Sequence, residues 1–264
     1  MTSRTGLSRH HRGAVRGGLA VCGVVLLGVG LSGCGSADAS EAPLEKKSFA
    51  LSGKTLTIDS DNSDIELVPA DVDEVEVTRQ VDGWVLFGSG PEATWKMEDG
   101  KLTLKVKCDA IASNCVAQHT VKVPRGTSVT VDDDNGSVTA SGFDTALKLR
   151  SDNGSVRVTD SSGALELDSG NGSVVAERVT GKKVVARSDN GSVRLELAGV
   201  PDRVETASDN GRIEIRLPAA GAPYAVDAKS DNGRVDVAVP TDAGSGHVVK
   251  ARSDNGKVVV RAAN

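Results

Sequence analysis

The run Leu147-Lys-Leu-Arg-Ser-Asp-Asn-Gly-Ser-Val-Arg-Val158 decides the fold, because it recurs through the second half of the chain. Copies centre on Asn135, Asn153, Asn171, Asn190, Asn210, Asn232 and Asn255, at steps of 18, 18, 19, 20, 22 and 23 residues. Within a copy Leu147, Leu149, Val156 and Val158 share one parity; Lys148, Arg150, Ser155 and Arg157 share the other. A period of two marks strands with one buried face. The same parity holds for Val184/Ala186 with Val193/Leu195, Val204/Thr206 with Ile213/Ile215, and Val226/Ala228 with Val235/Val237. Between the two strands the chain must bend, and Asn-Gly is expected to do so through its tolerance of positive φ.

Taken alone, Asn-Gly between alternating strands signals a hairpin, and seven of them could form an antiparallel meander. Two features favour stacked coils. Ser and Asn keep a fixed offset (Ser151/Asn153, Ser188/Asn190, Ser208/Asn210, Ser230/Asn232, Ser253/Asn255), as columns require. Stacked Asn amides can then hydrogen-bond along a ladder. The second turn varies from Asp160-Ser-Ser-Gly163 to Pro240-Thr-Asp-Ala-Gly-Ser-Gly246, so insertions gather on one side. A single coil's aliphatics cannot offset the entropy of ordering it, so each coil needs neighbours. The expected fold is all-β: a single-stranded β-solenoid (β-helix) of short coils over 129–264. Its interior should be thin, since after Lys101 the only aromatics are Phe143 and Tyr224.

The solenoid is expected to carry an N-terminal β cap. Leu56-Thr-Ile-Asp-Ser-Asp-Asn62-Ser-Asp-Ile-Glu-Leu67 is a degenerate first copy, 73 residues before Asn135. The interruption reads as strands at 74–80, 93–97, 101–107 and 118–124, with Glu98-Asp99-Gly100 as a hairpin turn. Residues 48–128 are therefore read as first coil plus cap, covering an edge that would otherwise promote sticking. Cys108 and Cys115 within it form a disulfide if the chain is exported. A metal site, with His119 as the nearest extra ligand, is the rival reading.

Residues 1–33 read as an export signal. Arg4, Arg9, Arg12 and Arg16 precede the short apolar run Leu19–Leu31, which is too brief to span a bilayer. The run ends in Leu31-Ser-Gly-Cys34-Gly35, which resembles the lipobox of bacterial lipoproteins. That resemblance implies cleavage before Cys34, its lipidation, and a location on the extracytoplasmic face of the cell membrane. The alternative is an ordinary signal peptide with an incidental Cys. Residues 34–47 read as a tether. Removing four Arg and no acid moves the formal charge from −5 to −5 − 4 = −9, which argues against nucleic acid or an anionic lipid face as a partner.

With lipobox, the strand at 118–124 and the recurring Asn-Gly-x-Val-x-Val in view, residues 48–264 resemble the bacterial "putative adhesin" β-strand-repeat family, related to toastrack-type domains of envelope-stress proteins. The resemblance implies a β-helical extracytoplasmic domain without established enzymatic activity, concerned with adhesion or the sensing of envelope damage. It carries no catalytic or ligand residues across.

Three places could hold chemistry. Asp152, Asp189, Asp209, Asp231 and Asp254 precede the repeated Asn and could stack into a calcium-binding column, giving a calcium-stabilised structural spacer. Basic neighbours (Arg150, Arg187, Lys229, Arg252) favour plain solvated turns instead. A carbohydrate-active enzyme would need a carboxylate pair on a groove with aromatic platforms, and the repeats have almost no aromatics. No cofactor is implied. Trp84 and Phe87, with Trp95 beyond, either plug the cap's core or form a contact loop. The expected partners are the membrane, through the lipid anchor, and an envelope protein, peptide or glycan of unknown identity.

Overall fold

The computed structural model describes residues 39–219 and 223–263, with the backbone alone at 110–113. The signal segment 1–33, Cys22 and Cys34 lie outside the described residues. After a short turn at Ala39–Glu41, five strands build the N-terminal end: β1 (Glu45–Phe49), β2 (Thr55–Ser60), β3 (Ser63–Ala70), β4 (Val75–Glu98) and β5 (Lys101–Pro124). Seven strand pairs follow: β6 (Ser128–Asp133) and β7 (Val138–Ser141); β8 (Leu147–Ser151) and β9 (Val156–Thr159); β10 (Leu165–Ser169) and β11 (Val174–Val179); β12 (Lys183–Ser188) and β13 (Val193–Leu197); β14 (Arg203–Ser208) and β15 (Ile213–Leu217); β16 (Ala225–Ser230) and β17 (Val235–Ala238); β18 (Val248–Ser253) and β19 (Val258–Ala262).

Each pair is one coil, and the coils lie parallel and in register on one another, apart from a register shift between β11 and β13 at Ala176–Val179. One face runs β2, β6, β8, β10, β12, β14; the other runs β3, β7, β9, β11, β13, β15. The meander is excluded, because consecutive strands of a copy belong to opposite faces and pair only with other coils. Inward residues of both faces, from Leu56 and Ile65 to Val249 and Val260, form one buried aliphatic column. Phe143 and Tyr224 are both buried, as the thin interior requires.

The coil order departs from chain order at the C-terminal end. β14 pairs with β18, not β16, and β15 pairs with β19. β16 and β17 then pair on the far side of β18 and β19. The last coil in sequence is therefore inserted as the penultimate coil in space. The exchange explains the burial: Val249, Ala251, Val258 and Val260 are buried, whereas Val235 and Val237 on the terminal coil stand about 40 % exposed (42 % and 40 %). The long link Pro240–Gly246 lets the chain return past a coil already laid down.

The other end is covered. β5 lies beside the first coil twice, pairing parallel with β2 through Lys101–Leu104 and with β3 through Ala117–Pro124. β4 runs antiparallel outside β5 along almost its whole length, and β1 pairs antiparallel with β4 at Val75–Arg79. The separate short strands expected in the cap are thus two long ones, joined at Asp99–Gly100. Of the tether expected over 34–47, Glu45-Lys-Lys47 belong to β1. Their charge reads as linker, yet Lys47 lies over the cap's aromatics: its Nζ sits 4.8 Å from the Phe49 ring centroid and 5.9 Å from that of Trp95.

Candidate interaction surfaces

The Ser-Asp-Asn-Gly corner is a set of stacked columns. Asn side chains donate in one direction along the stack, Asn135 to Asn62 (3.2 Å), Asn153 to Asn135 (2.8 Å), Asn171 to Asn153 (2.8 Å), Asn190 to Asn171 (3.0 Å) and Asn210 to Asn190 (2.9 Å). The exchanged coils continue it: Asn255 donates to Asn210 (3.0 Å) and Asn232 to Asn255 (2.9 Å). Beside it the Ser hydroxyls knit the corner. Ser169 Oγ accepts from the Gly172 amide and donates to the Gly154 carbonyl of the preceding coil, both at 2.8 Å. Ser151, Ser188, Ser208, Ser230 and Ser253 likewise donate to a Gly carbonyl of the adjacent coil.

The expected role of Asn-Gly needs correcting. None of the repeat Asn or Gly residues has positive φ; among the described residues those glycines are Gly53, Gly90, Gly100, Gly126 and Gly142. Glycine is required at the corner for close approach. A Cβ on Gly154 would stand 1.8 Å from the Gly136 carbonyl oxygen, and one on Gly211 would stand 1.9 Å from that of Gly191.

Replacing Asn190 by Ala removes two ladder bonds at an exposed corner. At about 0.5–1.5 kcal/mol net for each, we expect a loss of about 1–3 kcal/mol in urea denaturation, with an unchanged m-value.

The flat faces neutralise themselves. Asp132, Arg150, Asp168 and Arg187 lie opposite one another on successive coils, alternating in sign. Neighbouring columns add Lys148–Glu166 (2.8 Å) and Arg157–Glu177 (3.4 Å). The bidentate Arg178–Asp160 pair closes at 2.6 and 2.7 Å. Glu214 sits among Arg212, Arg216 and Arg261; burial opposes its charge, but hydrogen bonds from Arg261 and Arg216 win and lower its pKa. Of the calcium candidates, Asp152 pairs with Arg150 at 2.7 Å. Gly170 interrupts the column between Asp152 and Asp189. Among the described residues no three His, Cys, Asp or Glu side chains come together as a metal site.

Two buried polar groups lie near the first coils, and sequence reasoning gave neither this role. Asp133 takes the place that Ser occupies in the other coils, in register with Ser60 and Ser151. Burial pushes its pKa up to about 6; the Ser60 hydroxyl and the Gly136 amide oppose that only in part. The signal was legible: Asp132-Asp-Asp-Asn135 breaks the Ser-Asp-Asn pattern. His119, once a possible metal ligand, faces the core in register with Ile65 and Arg79. Burial and the nearby Arg79 charge push its pKa down to about 4.

The cap carries the one protruding feature the sequence had pointed to. At the corner between β2 and β3 the chain spends two residues, Asp61 and Asn62. Between its own pairings with β2 and β3, β5 spends residues 105–116, and β4 stays paired to them. The surplus leaves the solenoid as a two-stranded ribbon. Cys108 and Cys115 are disulfide-bonded with Cα atoms 6.4 Å apart. Seven residues of extended strand would span about 23 Å, so the ribbon folds back on itself. Gly83 and Gly90 make room for the bridge: a Cβ on either would stand 2.7 Å from Cys115 Sγ or 2.8 Å from Cys108 Sγ.

Phe87, with φ 55°, lies where β4 reverses. Trp84, Leu86 and Phe87 are 37 %, 51 % and 78 % exposed, so they do not plug the cap. Trp95 does. It packs edge-on to Phe49 with centroids 6.3 Å apart, under the Arg79 guanidinium at 4.0 Å, and so leaves the contact loop.

A family model described as Toastrack DUF4097 matches residues 53–264, from the turn before β2 through the exchanged C-terminal coils. The chain belongs to the Toastrack DUF4097 family. Solved structures similar to this toastrack chain include a "putative adhesin" from Parabacteroides distasonis, 13 % identical over 83 % of this chain and 98 % of that one, TM-score 0.44. Another "putative adhesin", from Parabacteroides merdae, is 14 % identical over 85 % and 98 %, TM-score 0.41. A "putative cell adhesion protein" from Clostridium sporogenes is 9 % identical over 84 % and 99 %, TM-score 0.37. No curated protein matches the chain.

Proposed function

We propose that this toastrack chain is a non-catalytic binding and structural module of the bacterial envelope, anchored through lipid on Cys34 at the extracytoplasmic face. The observation that carries the reading is the folded-back ribbon, held by a disulfide of the kind that persists in oxidising compartments. It lifts an aromatic tip clear of a solenoid whose faces pair opposite charges. The basic, apolar and small-residue order ending at Cys34 supports the anchor. Adhesion or envelope sensing is the role that fits a stiff body with one contact point.

Metabolic labelling with an alkyne fatty acid tests the anchor. The wild type is expected to take up label and fractionate with membranes, and Cys34→Ala to lose both. Unlabelled wild-type protein in the soluble fraction would overturn the anchor.

A further inference from the structure

The geometry points to a second membrane contact: the Trp84–Leu86–Phe87 tip of the ribbon inserts into the bilayer that carries the Cys34 lipid. The inference rests on the anchored reading above and names the tip's partner as a lipid surface.

Three observations converge. The first is where the chain begins its fold. Gln80 Nε2 donates to the carbonyls of Ser40 (2.7 Å) and Ala42 (2.9 Å), pinning these residues beside β4. Gln80 lies opposite Gln118, next to Val81 and Ala117 where the ribbon departs. The N-terminal segment thus arrives at the ribbon's base. Cys34 precedes Ser40 by six residues, a reach of at most about 20–22 Å. The second is length. From Ala117 to the ribbon's reversal is about six residues of strand, close to 20 Å. Six residues of chain from Ser40 are thus long enough for a lipid on Cys34 and the tip to share one bilayer.

The third is chemistry. Gly83–Pro91 contains no charged residue in a chain that is 25 % charged. Its large exposed side chains are Trp84, Leu86 and Phe87, the types that settle at the boundary between headgroups and acyl chains; Ser89 and Pro91 are exposed beside them, and Asp109 of the paired strand lies opposite Ser89. An aromatic and aliphatic tip on an acidic body suits zwitterionic lipid and disfavours an anionic face. The disulfide, which Gly83 and Gly90 make room for, stiffens the ribbon, so the side chains are presented without a large ordering cost.

Residues 36–264 form one compact unit, so the test can replace the lipid by an N-terminal histidine tag on phosphatidylcholine vesicles containing nickel-chelating lipid. In a Trp95→Phe background the remaining indole is Trp84. Its emission is expected to shift to the blue and to be quenched by lipids brominated on the acyl chain. Leu86→Ser with Phe87→Ser should cut that quenching about tenfold while circular dichroism stays unchanged. Chain held on the vesicle by its tag with Trp84 unquenched would overturn the proposal. So would crosslinking from Phe87 in intact cells that captures one protein instead of lipid. The tag makes this independent of Cys34: quenching here together with failed fatty-acid labelling would sink only the anchor.

Discussion

Gly154→Ala is expected to cost more than about 4 kcal/mol, an exceptional loss for one methyl group. The added carbon would meet the Gly136 carbonyl at 1.8 Å for oxygen and 2.3 Å for carbon, with the Ser137 amide nitrogen at 2.8 Å. All three are backbone atoms of the neighbouring coil, so no side chain can swing aside. Relief requires the coils to part, which breaks the bonds between them: Ser151 Oγ to the Gly136 carbonyl (2.7 Å) and the Asn153 side-chain amide to Asn135 (2.8 Å). At about 2–4 °C per kcal/mol for a domain of this size, the melting midpoint should fall by about 10 °C or more. Gly246→Ala is the control. A Cβ there meets nothing within 4 Å, so its effect should stay within about 0.5 kcal/mol. Equal effects at the two positions would show that close stacking is not why glycine recurs.

What the sequence made legible follows from what repeats. Parity, the fixed Ser–Asn offset and one elastic corner each recur from coil to coil, with the offset broken at Asp133, and together they specify parallel coils, the Asn ladder and the inward aliphatics. Features that occur once were harder to read. The exchange of the last two coils depends on a link long enough to return, and Pro240–Gly246 shows only that a turn exists, not where it leads. The ribbon arises from a mismatch in residue count between β5 and the β2–β3 corner, visible only once the pairing of both is known. Gly83, Gly88 and Gly90 look like strand breaks in sequence. Two of them are clearance for the disulfide. Trp84 and Trp95 lie eleven residues apart in one strand, and sequence had no means to send one outward and the other into the cap. The repeat glycine was read correctly as a corner but for the wrong cause, since left-handed conformation and close approach leave the same letter.

Asp133→Ser should stabilise the protein at neutral pH and uncover a pH dependence the wild type hides. In the native corner Asp133 accepts from the Gly136 amide through Oδ2, while its buried Oδ1 has no hydrogen-bond partner among the described residues. The Ser60 hydroxyl lies alongside, outside regular hydrogen-bond geometry. Burial raises the folded pKa from 3.8 to about 6, so the folded state holds the proton more tightly than the unfolded chain. Stability from this group is therefore complete below about pH 4 and is lost as pH rises through about 6. Two units at 1.36 kcal/mol each put the loss at about 3 kcal/mol above pH 6. His119 works the other way. Its folded pKa of about 4 against an ordinary 6.5 gives stability that is complete above 6.5 and lost as pH falls toward 4. The two slopes oppose each other over the same window, so the wild type should be nearly level between pH 4 and 6.5. Serine at 133 would accept from Gly136 and donate to the Ser63 carbonyl, as Ser151 does to Gly136 in the next coil. Urea denaturation should then show a gain of about 2–3 kcal/mol at pH 7.5, and a fall of similar size on acidifying to pH 4 as the His119 slope stands alone. A variant no more stable than wild type at pH 7.5, with an equally level profile, would mean that the carboxylate is solvated at this corner and that the serine column stops short of the first coils.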